Sequence, residues 1–409
     1  MPGIQPMTIR LTAAILFFSA SFLSASDWPQ WRGPTGMGVA EDKDLPLTWG
    51  GKDNVNVLWK VALPKTDQSQ SSPVVSNDRI FVTTAVNVPL EQHVTCYKKS
   101  DGSRLWETTV PNGPWIMKDL RGGYTCSTPA TDGERVFALF GSSKLAALNN
   151  EGHIVWQHDI EPRNFDVAIS SSPILYKDNV ILLCDQNNKT AFMVAYNRKS
   201  GEKAWEMKRP EAGFNHSTPM IATVGGKPQM LVAASEALQG VDPENGKVLW
   251  FAKCKGDIAT PVTDGKLVYV DNARGGVGCC VDATGSGDVT ATNVKWTYKT
   301  MVDGFNSGII ADGRLYRLFK QLKCIDLATG QEIYSETLGP GTPHASPILT
   351  PDGRIYYASA GTSYVIKTGP KFELLAKNEL GDNSSASAAI SDGLIILKGA
   401  KNLFCVGKK

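Results

Sequence analysis

The chain has 409 residues, and its 42 Lys and Arg are nearly balanced by 40 Asp and Glu. No face is obliged to be strongly basic, which excludes nucleic acid as the default partner. With 39 Gly and 23 Pro, turns are frequent, and length alone suggests more than one domain.

The N-terminus reads as an export signal over residues 1–26. Arg10 is the only charge there, an apolar run extends from Leu11 to Leu23, and Ser24, Ala25 and Ser26 supply the small residues of a cleavage site. A mature start near Asp27 is expected, with an uncleaved N-terminal anchor as the alternative, although the run is short for a membrane span. No later segment reads as a bilayer span. The expectation is a periplasmic or secreted protein in an oxidising compartment, monomeric and with no transmembrane segment in the mature chain. Residues 27–52 form an extension whose Trp28, Trp31 and Trp49 are expected to bury themselves as a plug over the underside or outer edge of the next domain.

From residue 53 onward a repeat organises the chain. A small-polar-Pro signature ends at Pro73, Pro129, Pro173, Pro219, Pro261 and Pro347, with weaker copies at Gly308 and Ala388. The spacings run from 39 to 56 residues, the period of four-stranded propeller blades. Each signature is followed by a short strand, a polar turn and an apolar strand rich in β-branched and aromatic residues. A third strand then ends in a glycine turn, four residues before an aromatic: Gly102 to Trp106, Gly152 to Trp156, Gly201 to Trp205, Gly246 to Trp250 and Gly330 to Tyr334. Trp296 ends the fifth unit after a longer loop, and the seventh unit lacks the aromatic. The eighth unit stops after its third strand, and the missing strand lies at the other end of the chain, around Trp59. Pairing the two leaves no open edge. The sequence therefore predicts an all-β fold, one eight-bladed β-propeller over residues 53–409, closed by the N-terminal strand on the C-terminal blade.

Ala195, Asn197, Gly201 and Trp205, and again Gly240, Asp242, Gly246 and Trp250, resemble the tryptophan-docking repeat of PQQ-like (quinoprotein alcohol dehydrogenase-like) β-propellers. Cys96, Lys98, Gly102 and Trp106 follow it loosely, and Cys324, Asp326, Gly330 and Tyr334 follow it with tyrosine. The leading "DWPQWRGPTGMGV" is similar to the start of exported, BamB-like repeat proteins of planctomycete type. The resemblance covers nearly the whole mature chain. It implies docking roles for Trp59, Trp106, Trp156, Trp205, Trp250, Trp296 and Tyr334. It also implies either a non-enzymatic scaffold of the BamB kind or a PQQ-dependent dehydrogenase with calcium.

Aligned on that motif, Cys96, Ala147, Ala195, Gly240, Cys280, Cys324 and Cys405 form a column of small residues, expected to let a neighbouring blade's tryptophan sit close. Cys280 is thus expected to pack, with Cys279 on the opposite face of the strand. A vicinal Cys279–Cys280 disulfide is the alternative in an oxidising compartment, and the pairing of Cys126, Cys184 and Cys254 stays open.

The loops into the innermost strands place Gln70, Cys126, Ser170, His216, Ile258, Phe305, His344 and Ser385 at the channel mouth. Second strands end near the same face with Asp185, Glu236, Asp271, Lys320 and Lys398, so a polar mouth of mixed charge is expected. His216 and His344 either face a ligand or cap neighbouring loops, and they stand too far apart to share one small cation. The long connection 107–125 carries Trp115 and Arg121, either as an apolar lip or folded back on its own blade. Asp271 and Arg274 offer a further polar element or a solvated turn with an internal ion pair. The candidate ligand-binding set is His216, His344, Gln70, Phe305, Trp115, Arg121, Asp271 and Arg274.

No catalytic residue or metal ligand is assigned. The inner-strand signatures hold no tryptophan to stack under a quinone, and nucleophile-elbow, zinc-protease and phosphate-loop motifs are missing. The expected function is a non-catalytic binding or scaffold propeller of the cell envelope that recognises a protein or small ligand at its mouth, without a cofactor. A PQQ- and calcium-dependent oxidoreductase is the alternative, and a carbohydrate-binding or carbohydrate-cleaving propeller the second.

Overall fold

The computed structural model describes residues 26–409 except 68–69, 119, 121, 162–169, 187–188, 211, 235, 273–275, 301–305, 320 and 340–343, and the side chain of Thr300. The export signal up to residue 25, Phe305, Arg121, Arg274 and Lys320 lie outside the described residues.

Eight antiparallel sheets stand as blades around one axis, each built outward from the channel in chain order. The innermost strands of blades 1 to 8 are Val74–Ser76, Ala130–Thr131, Ile174–Tyr176, Met220–Val224, Val262–Thr263, Ile309–Ala311, Ile348–Leu349 and Ala389–Ser391. The outermost are Arg104–Val110, Ile154–Asp159, Lys203–Lys208, Val248–Ala252, Val294–Thr300, Glu332–Glu336, Leu374–Glu379 and, for blade 8, Val57–Ala62. That last strand pairs with Asn402–Val406, Trp59 opposite Cys405, so the ring closes as the sequence predicts. Second strands such as Asn179–Cys184 are pressed between two neighbouring blades and are buried on both faces, hence their continuous apolar runs. Outer strands such as Ile154–Asp159 alternate, because one face meets solvent.

The signature's role is visible only in the assembled ring. The Ser or Thr before each signature proline is buried, and, Thr260 apart, its hydroxyl accepts the backbone N–H of its counterpart in an adjacent blade. Ser72 N–H donates to Thr128 Oγ1 at 2.9 Å, Thr128 N–H to Ser172 Oγ at 3.0 Å, and Ser172 N–H to Thr218 Oγ1 at 3.0 Å. Thr260, Ser307 and Ser346 continue the pattern into Ser307, Ser346 and Ser387 at 2.9, 3.1 and 2.8 Å, and Ser387 N–H returns to Ser72 Oγ at 3.0 Å. The weak signature copies have lost proline but kept this serine. At the seam between blades 4 and 5, the Thr260 hydroxyl accepts the indole N–H of Trp31 at 3.0 Å.

The docking aromatics hold the rim. Trp59, Trp106, Trp156 and Trp296 donate their indole N–H to the carbonyls of Lys99, Asn150, Arg198 and Leu327 in the next blade, at 2.8–3.0 Å. A Cβ on Gly102, Gly152, Gly201, Gly246 or Gly330 would stand within 2.9 Å of the preceding blade's indole, and each glycine has positive φ, so the turn demands it twice over. Two expectations need correction. The small-residue column faces the aromatic of its own blade, across the strand pair (Cys96 with Trp106, Ala195 with Trp205, Cys324 with Tyr334), and not that of a neighbour. Trp250 does not dock on a neighbouring glycine turn. Blade 5 replaces that turn with a longer loop, and its Gly287–Asp288 segment pairs in parallel with Trp250 and Phe251, which buries Trp250 completely. The indole N–H then turns inward to Gln229 Oε1 at 2.7 Å. In blade 7, where the aromatic is missing, Val365 faces Ala376, so the sizes of the pair are exchanged.

The extension is a plug, as expected, and it winds around the ring. Asp27 accepts from Ser76 and Asn77 of blade 1, Pro29 from Thr131 of blade 2, and Gln30 from Leu175 of blade 3. Arg32 Nη2 donates to Gly308 O of blade 6 at 2.7 Å, Ala40 N–H to Leu349 O of blade 7, and Asp42 accepts from Gly393 of blade 8. Trp31 and Arg32 reach inward as far as the signature loops, donating to Thr260 and Gly308.

Candidate functional site at the channel mouth

Of the charged residues expected to make the mouth polar and of mixed charge, Glu236 is exposed and pairs with Lys255 at 3.3 Å, whereas Asp185, Asp271 and Lys398 are buried. Asp271 is 2% exposed. Its carboxylate receives Arg317 Nε at 2.7 Å and Nη2 at 3.2 Å from blade 6, and the Tyr269 hydroxyl at 3.2 Å. It is a buried inter-blade pair, not a solvated turn. Asp185 is likewise held by Arg209, at 2.8 and 3.2 Å, and Arg209 reaches Gln239 of blade 4 at 2.6 Å. Lys398 of blade 8 donates to Ser71 O, Ser71 Oγ and Thr83 O of blade 1 at 3.0, 2.8 and 3.1 Å. Burial pushes its amine down to about 7. A charge removed from water persists only when paired or fully hydrogen-bonded, so these second-strand ends became seams between strands and blades.

The residues of the loops into the inner strands differ in exposure. Gln70 and His344 are exposed, and Cys126, Ser170, His216, Ile258 and Ser385 are half-buried. His216 and His344 stand on blades 4 and 7, three blades apart. Ser170 Oγ lies 2.7 Å from His216 Nδ1, and the His216 N–H donates to Asp257 Oδ1 at 3.1 Å. Sequence reasoning put Ser170 and His216 at one register position in adjacent blades, a sufficient signal for their meeting. Cys126 donates to Gly122 O at 3.0 Å, and burial pushes its thiol up to about 12, with the Lys398 charge acting the other way.

The connection 107–125 is both things expected of it. Trp115 folds back onto Ala85, Met117 and Tyr124, with its backbone N–H on Ser142 O at 3.0 Å. Ile116 points away and is 78% exposed. The second and third strands of blade 1, Arg79–Asn87 and Leu90–Lys98, have nine residues each, and Val88 at their hairpin tip is 82% exposed.

Cys279 and Cys280 are not bonded to each other. Cys280 is buried and free, opposite Trp296, as the packing expectation has it. Cys279 faces the other way and forms a disulfide with Cys254, tying the third strand of blade 5 to the chain leaving blade 4. Nothing in the sequence pointed to that pairing. Among the described residues no group of three or more His, Cys, Asp or Glu side chains is placed to hold a metal ion.

A family model of PQQ-type repeats, described as outer membrane protein assembly factor BamB, matches residues 52–193 and 188–336. No curated protein matches the chain significantly. Quinohemoprotein alcohol dehydrogenase from Comamonas testosteroni has the same fold over 94% of this chain and 81% of its own, with TM-score 0.70 and 13% identity. A europium-containing methanol dehydrogenase matches over 93% and 89%, with TM-score 0.68 and 11% identity. BamB from Moraxella catarrhalis matches over 85% and 98%, with TM-score 0.59 and 12% identity. At such identities the likeness is one of fold, and enzymes and an assembly factor share it. The family model spans well over half of the residues, and on that match the chain belongs to the BamB-like family of PQQ-repeat β-propellers.

Proposed function

We propose that this chain is a scaffold propeller of the cell envelope that binds a protein partner beside its channel mouth. The observation that carries the reading is the lip on blade 1. Ile116 and Val88 are apolar and strongly exposed, and the lip carrying Ile116 is mounted on a packed cluster of Ala85, Trp115, Met117 and Tyr124. Exposed apolar side chains on a firm base suit protein contact. Periplasmic or secreted placement fits the N-terminal sequence and the Cys254–Cys279 disulfide.

The described residues fit a calcium-held quinone poorly. Two buried carboxylates at second-strand ends, Asp185 and Asp271, are each engaged by an arginine. Cys279 and Cys280 face opposite sides of their strand, so they offer no paired sulfurs beside a cofactor.

The test compares the wild-type protein with Ile116→Asp and Val88→Asp by photo-crosslinking in envelope fractions, alongside a titration with PQQ and calcium read by melting temperature. The expected outcome is a crosslinked partner lost in the variants and no melting shift with the cofactor. A clear rise in melting temperature with PQQ and calcium would overturn the reading, because a ligand of the folded state must stabilise it.

A further inference from the structure

The mouth also holds a side-chain pair that the scaffold reading leaves unused. Ser170 and His216 occupy equivalent positions on blades 3 and 4, and both are half-buried. Ser170 Oγ and His216 Nδ1 are 2.7 Å apart, the separation at which a base takes a hydroxyl proton. The histidine is held on two sides. Its backbone N–H donates to Asp257 Oδ1 at 3.1 Å, and Phe214 meets its ring edge-on with centroids 4.4 Å apart. Asp257 is buried and is followed by Ile258 at φ +70°. A β-branched residue in the left-handed region is an outlier, and such strain gathers at functional sites. Here the strained residue adjoins the one that holds His216.

We propose that Ser170 and His216 form a nucleophile–base pair that cleaves short acyl esters at the mouth, with Asp257 as a positioning residue. Ser170 Oγ bonds to the carbonyl carbon while its proton passes to His216 Nδ1. The ester C–O bond breaks, and the leaving alcohol takes that proton. Water then attacks the acyl-serine carbon and gives a proton to His216, which returns it to Ser170 Oγ. One ester and one water become one acid and one alcohol, and nothing is oxidised or reduced.

The experiment treats the full chain with a fluorophosphonate probe and, separately, with p-nitrophenyl acetate. One label per chain is expected, on Ser170, and Ser170→Ala abolishes both label and turnover. His216→Gln slows labelling about a hundredfold, the scale of general-base catalysis, and removes the rise in rate that follows imidazole deprotonation. Melting temperature checks the fold of each variant. Ser170→Cys gives a second readout: beside the imidazole its thiol is expected to alkylate with iodoacetamide at mildly acidic pH. Labelling no greater than in heat-unfolded protein, labelling that survives Ser170→Ala, wild-type labelling rates in folded His216→Gln, or an inert thiol in Ser170→Cys each overturns the proposal.

Discussion

The backbone N–H of Ser387 donates to the hydroxyl of Ser72 across 3.0 Å of space and 315 residues of chain. This bond joins the last blade to the first at the innermost tier, while the Trp59 strand joins them at the rim. Ser72→Ala leaves the Ser387 N–H buried and without its acceptor, which costs about 1–3 kcal/mol. Urea unfolding is expected to show that loss, whereas Ser72→Thr, which keeps the oxygen, is expected to lose much less. Equal losses in both variants would assign the effect to packing.

The Cys254–Cys279 disulfide spans 25 residues. On the chain-entropy account a loop of that size contributes about 3 kcal/mol. Cys254→Ser and Cys279→Ser are each expected to lose roughly that much. Treatment with reductant is expected to destabilise the wild-type protein and leave both variants unchanged, read by melting in its presence and absence.

Lys398 links stability to pH in an unusual direction. Burial lowers its amine from 10.5 to about 7 in the folded protein. Between those values the unfolded chain holds the proton and the folded chain has released it. Folding therefore expels a proton, and stability rises with pH across that window, by at most about 1.4 kcal/mol per pH unit. The stability difference between wild type and Lys398→Met, measured in urea at several pH values from neutral to mildly alkaline, is expected to shift in favour of the wild type as pH rises. A difference that stays flat would mean the amine keeps its proton on its three oxygen acceptors.

Gly240 faces Trp250 so closely that a Cβ there would lie 2.0 Å from the indole nitrogen. Gly240→Ala must displace the indole from Gln229 or move the strand. Overpacking of this kind costs about 1–3 kcal/mol. Trp250 fluorescence is expected to shift with the loss of stability, since its fully buried ring must move.

The blades were legible because the repeat writes the same turn, strand and aromatic grammar many times, and because the Trp59 segment has no other place to pair. The equivalent register of Ser170 and His216 was legible for the same reason. Partners drawn from different blades, Ser170 and His216 apart, were not. Asp271 meets Arg317 46 residues later, and Cys254 meets Cys279 across a blade seam. No local pattern distinguishes these residues from solvated ones. The small-residue column was found but matched to the wrong aromatic, because alignment gives positions along a strand and not the strand opposite. Trp250 escaped its assigned role because the fifth unit lacks the turn on which it was to dock.

The wound extension sets an order on how this molecule can be made. Residues 26–62 are synthesised before any blade, yet their partners include Leu349, Gly393 and Cys405 near the other end of the chain. Part of this early segment is thus among the last to be seated, and that part must wait through the emergence of all eight blades. Contacts so distant in sequence slow folding and leave intermediates with open edges. During that interval the waiting segment carries Trp28, Trp31, Trp49 and the apolar strand Val57–Ala62 unsheltered. A folding helper that shields the N-terminal segment would therefore act on this protein early, and would be released only when blade 8 closes the ring.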